Sequence, residues 1–82
     1  MKSKKLLGYT VVEPTVGVMF PLMKIMESDP QKFQLELAKS AIHKDGVALG
    51  EGINDIGISD YMKLMNAVME VSGFADATAG ND

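Results

Sequence analysis

At 82 residues, with 46% hydrophobic and 23% charged side chains, the chain is long enough for one small core and too hydrophobic for wholesale disorder. It contains no cysteine, which excludes a disulfide framework, a thiolate metal site and a cysteine nucleophile. Its eight basic residues are all lysine and its net charge is −3, a balance that argues against nucleic acid, whose binders fork arginine onto phosphate and guanine.

The chain opens on Lys2, Lys4 and Lys5, a basic cluster that reads as a solvated, frayed end. The apolar stretch after it is too short for a signal sequence and soon meets Glu13 and Pro14. No apolar run approaches the roughly 20 residues that span a bilayer, so a soluble, cytoplasmic protein is expected. Residues 5–12, "KLLGYTVV", are β-branched and aromatic enough for a strand, weakened by Gly8. That strand needs a partner.

Thr15, with Pro14 ahead of it and an apolar period behind, marks a helix start. At 100° per residue, Val18, Met19, Leu22, Met23, Ile25 and Met26 fall on one broad arc that Val16 and Phe20 extend. Pro21 interrupts it, so the helix either kinks there or begins near Val18 with the proline in its first turn. A second helix is capped by Asp29, carries Pro30 at its first position and is ended by Asp45-Gly46. Phe33, Leu35, Leu37, Ala38, Ala41 and Ile42 form its buried side, with His43 among lysines and a glutamate on the other.

Residues 45–58 carry four glycines and no helical period. Val47 to Leu49 is expected to pair with the strand at 6–12. The last helix runs from Ser59 as N-cap to Gly73 at C′, with Tyr61, Leu64, Met65, Val68 and Val71 inward and Met62 and Met69 on its flanks. Residues 75–82 are small and polar and read as a disordered tail. These elements predict a mainly α fold, a small three-helix domain over residues 1–74 with a minimal two-stranded β element.

Catalytic chemistry finds little to stand on. His43 is the single histidine and projects to solvent. Acidic residues 51, 55 and 60 lack the alternating oxygens and terminal glutamate of a calcium loop. "GEG" at 50–52 has no third glycine and no flanking strand and helix to make a phosphate cradle. Ser59 is a cap, and its order before Asp60 is the reverse of an acyl-carrier serine. Neither catalytic nor metal nor cofactor residues are expected.

Six of the seven methionines lie on two helical faces: Met19, Met23 and Met26 on the first, Met62, Met65 and Met69 on the last. Methionine fills irregular gaps in cores and also lines adaptable binding surfaces. Taken singly, these are ordinary core candidates; taken together, the helices carry more apolar surface than so small a domain hides. The six methionines are therefore the candidate partner-binding residues, and self-association is expected.

The stretch "YTVVEPTVG" (9–17), the helix end "AIHKDG" (41–46) and "DIGISDYMKLMNAVMEVSGF" (55–74) resemble the small tail assembly chaperones of Mu-like and P2-like contractile-tailed bacteriophages. The likeness covers roughly residues 6–74 and its motifs are short. It implies a chaperone that coats the helical tape measure protein, helps tail tube protein polymerise around it, and leaves before the virion is complete. In several relatives a longer product arises by ribosomal frameshifting near the end of the short frame. The resemblance supplies no fixed binding residues. Two other readings stay open beside it: a small structural virion or tail component and, further off, a small regulatory DNA binder of helix-turn-helix type.

Overall fold

The stretch 5–12, read from sequence as one strand, is folded in two. Leu7 and Gly8 take φ values of 56° and 83°, the pair of positive values that a two-residue type I′ turn uses. Ser3–Leu6 (β1) therefore returns antiparallel on Tyr9–Val12 (β2), with Leu6 opposite Tyr9 and Lys4 opposite Val11. The glycine that weakened the strand signal belongs to the turn. The lysine cluster is not a frayed end either: Lys4 and Lys5 lie in β1, at the edge of the sheet, where charge discourages pairing with other chains. Lys4 reaches Glu70 at 3.1 Å.

Thr15 starts α1 (Val16–Ser28) as expected, its hydroxyl accepting from the Val18 amide at 3.3 Å. The helix starts at Val16, not near Val18, and runs through Pro21 unbroken, although the proline leaves the Gly17 carbonyl without its helical donor. Asp29 then serves two helices. Its amide donates to the Ile25 carbonyl at 2.7 Å, closing α1, and its carboxylate accepts from the Lys32 amide at 3.1 Å, capping α2 (Pro30–Ala41).

α2 stops at Ala41, four residues before Asp45, because Ile42 is already extended. Ile42–Lys44 (β3) joins β2, with Val11 opposite Ile42 and Thr10 opposite His43. Asp45 and Gly46, expected to end the helix, instead form a second left-handed turn pair at φ 55° and 81°, which sends Val47–Ala48 (β4) back along β3. β4 thus pairs with β3 and not with the strand at 6–12. His43 is half-buried in a strand, its Nε2 3.0 Å from the Ser40 carbonyl oxygen, and does not sit on a helix surface.

A 3₁₀ helix (Gly50–Asp55) drops Ile53 into the core. α3 (Ile58–Val71) follows, with Gly57 and not Ser59 at the N-cap position and no side chain capping it. Gly73, at φ 91°, ends α3 at the C′ position as expected.

This is the architecture of a computed structural model that describes residues 1–73: an α+β domain whose antiparallel sheet runs β1-β2-β3-β4, packed with three α-helices and the 3₁₀ helix. The expectation of a mainly α, three-helix fold with a two-stranded element is overturned. Each strand is two to four residues long, too short for a period-2 pattern to show. The expected tail at 75–82, and the domain end at 74, lie outside the described residues.

Leu37, Ile42, Leu64, Val11 and Val68 are the largest fully buried side chains, so α2, α3 and the two central strands meet in one core. α3 packs on β1 and β2, while α1 packs substantially on α2 alone. The domain is therefore built with one helix on the outside. No helix among the described residues is long and apolar enough to cross a membrane.

Candidate functional site

Eight of the 13 residues of α1 are Val, Met, Phe, Leu or Ile, and none of the helix is fully buried. An apolar helix in water normally hides a stripe a third of its circumference wide or more. Here Val18, Met19, Leu22 and Ile25 are half-buried, the last three against the core, and the other apolar side chains face outward. Val16 and Phe20 are each 65% exposed, Met23 45% and Met26 37%. The spacing 16, 20, 23 places the most exposed three on one line along the helix.

Beside that line runs a hollow of about 260 Å³. Val16, Met19, Phe20, Met23 and Met26 form one wall, and Phe33 of α2 lies buried at its base. Pro14, Glu13 and Ser72 complete the rim, and the Ser72 hydroxyl is enclosed without a hydrogen-bond partner among the described residues. Phe20, Pro21 and Met23 continue the apolar surface over the outer shoulder of α1 as far as Lys24. What this arrangement offers is shape and adaptable, polarizable contact, with one carboxylate and one ammonium at its margins.

The six candidate methionines divide between two places. Met19, Met23 and Met26 gather around this hollow. Met62, Met65 and Met69 line a separate one of about 220 Å³ between α2 and α3, together with Gln34, Tyr61 and Asn66. No residue is shared by the two. Within the second group Met62 is exposed, Met69 half-buried and Met65 part of the core. Reading the helices one by one missed Val16 and Phe20, placed only at the border of the α1 arc, and Phe33, counted as plain core. The signal was present in the near-complete apolar circumference of residues 16–26, which no single neighbour is able to cover.

Charged groups cluster elsewhere. Lys39 on α2 bonds Glu36 at 2.9 Å and Glu51 of the 3₁₀ helix at 3.3 Å. The Glu36 hydrogen bond holds the Lys39 pKa above the ordinary lysine value; desolvation opposes this and Glu51 adds to it. Burial pushes the Tyr61 phenol up. Lys44 sits 5.7 Å from the centre of the Tyr9 ring, tying the β3–β4 hairpin to β2. Among the described residues no group of three or more His, Asp or Glu is placed to hold a metal ion.

Comparison with protein-family models, curated proteins and solved structures gives no match to the chain.

Proposed function

We propose that the chain is a non-enzymatic protein-binding module that works as a phage tail assembly chaperone, its α1 face holding an apolar helical segment of the tape measure protein while tail tube protein assembles. The single observation behind this reading is α1 itself. It is an apolar 13-residue helix with no fully buried residue, lying beside an apolar hollow of about 260 Å³. A face of that composition suits the helix-in-groove mode, in which an amphipathic client presents residues at i, i+3, i+4 and i+7. The net charge of −3 keeps a complex with so apolar a client in solution. The sequence resemblance supplies the identity of the client.

Co-expression with the tape measure protein tests this. The expected result is that the chain keeps the client soluble and co-purifies with it, and that Phe20→Asp combined with Met23→Asp abolishes capture while the far-ultraviolet circular dichroism is unchanged. Replacing Met62 and Met69 together by glutamine reports separately on the α3 hollow. Capture that survives the α1 substitutions overturns the assignment to this face. On the same reading the chain acts in the host cytoplasm and leaves before the particle is finished. Mass spectrometry of purified particles should then find none of it.

A further inference from the structure

The α1 face carries a projection and a hollow side by side. Phe20 stands out from the middle of the helix, and the hollow over Phe33 opens next to it. A patch that holds both shapes pairs with itself about a two-fold axis, since each copy then offers its projection to the other's hollow. We infer that, in the absence of client, α1 packs antiparallel on α1 of a second copy of this chain, each Phe20 seated in the other's hollow.

The charges at the margins fit that arrangement. Glu13 lies on the rim of the hollow, before the N-terminus of α1, and accepts the Lys2 amide at 2.9 Å. Lys24 lies one turn beyond Phe20, on the outer shoulder. A two-fold axis between Phe20 and the hollow reverses the second helix, which carries Lys24 of each copy towards the Glu13 end of the other. It also sets the two helix dipoles antiparallel.

The area sets the size class of such a pair. The exposed parts of Val16, Phe20, Met23 and Met26 come to on the order of 400 Å² per copy, about half of the roughly 800 Å² each partner gives to a standard stable interface. The dimer is therefore weak and exchangeable. It covers the apolar face when no client is present and yields to a client that offers more surface. This rests on reading the α1 face as a protein-binding surface, and it makes client and second copy competitors.

Sedimentation equilibrium on the chain alone tests it. The expected result is a concentration-dependent monomer–dimer equilibrium, weaker than that of a standard-size interface. Phe20→Asp and Lys24→Glu should each weaken it about tenfold or more. Both side chains are exposed, so neither substitution removes a core contact. A chain that stays monomeric throughout, or a dimer that neither substitution weakens, overturns the inference. Client capture, measured separately, tells the two proposals apart. A monomer that still captures client defeats self-pairing alone, whereas a dimer sensitive to both substitutions but unable to capture client defeats the client reading alone.

Discussion

Leu7 is held at a φ of 56°, a conformation that costs an L-residue with a side chain roughly 1–2 kcal/mol and that glycine or asparagine enters more easily. It is also 44% exposed, so its side chain returns little of that cost through burial. Leu7→Asn creates the Asn-Gly pair that type I′ turns prefer and should stabilise the domain by about 1 kcal/mol, seen as a higher urea midpoint with an unchanged slope. A lower midpoint would mean that Leu7 holds a contact its exposure does not suggest. Lys39 gives a pH-dependent counterpart. A folded-state pKa raised by Glu36 means its contribution is complete below the unfolded lysine value and fades as pH climbs through the folded one. The difference in urea midpoint between wild type and Lys39→Met should therefore hold steady up to about pH 10 and shrink as the pH rises beyond it. A constant difference would trace the effect to packing of the lysine stem.

Among the three α-helices, α1 is held least. It has no fully buried residue and an unpaired turn at Pro21, and it leans on α2, whereas α3 buries Leu64, Met65, Ala67, Val68 and Val71. Local opening follows burial, so amide exchange in the dilute chain should be fastest in α1 among the three α-helices and slowest in α3. Equal protection in α1 and α3 would show that something already covers α1. Leu37→Ala, at a fully buried α2 position, should by contrast cost about 2–5 kcal/mol, much of what a domain this size possesses, and thermal melting would reveal it. How well each element could be read from sequence tracks how much of its signal is local. α2 was readable from Asp29, Pro30 and the Phe33–Leu37–Ala41 stripe because cap and periodicity lie within one segment. The hairpins were not, because Leu7 gives no hint of a left-handed residue and Asp45-Gly46 serves equally as a helix stop or a hairpin turn. Only the pairing of Val11 with Ile42, 31 positions apart in the chain, decides between them. The candidate site was half-readable for the same reason: the methionine count announced surplus apolar surface, but Phe20 and Phe33 join it only once α1 lies across α2.

For the molecule as a whole, the apolar face lies on an acidic domain that has no arginine. That combination separates the modes of recognition open to it. A charge-steered complex, and above all a complex with duplex DNA, loses affinity steeply as salt rises, by about 10³–10⁵ between 50 and 200 mM for proteins making 6–10 phosphate contacts. Burial of Val16, Phe20 and Met23 against an apolar helix has little to lose to screening, since the described residues that line the face carry charge just at its margins, on Glu13 and Lys24. It does remove apolar surface from water, which lowers the heat capacity of the complex relative to its parts. Calorimetric titration of a helical tape measure segment into the chain should therefore give a negative heat-capacity change and an affinity that moves less than about tenfold between 50 and 500 mM salt. A steep loss of affinity with salt, or a heat-capacity change near zero, would place recognition on the charged surface and away from α1.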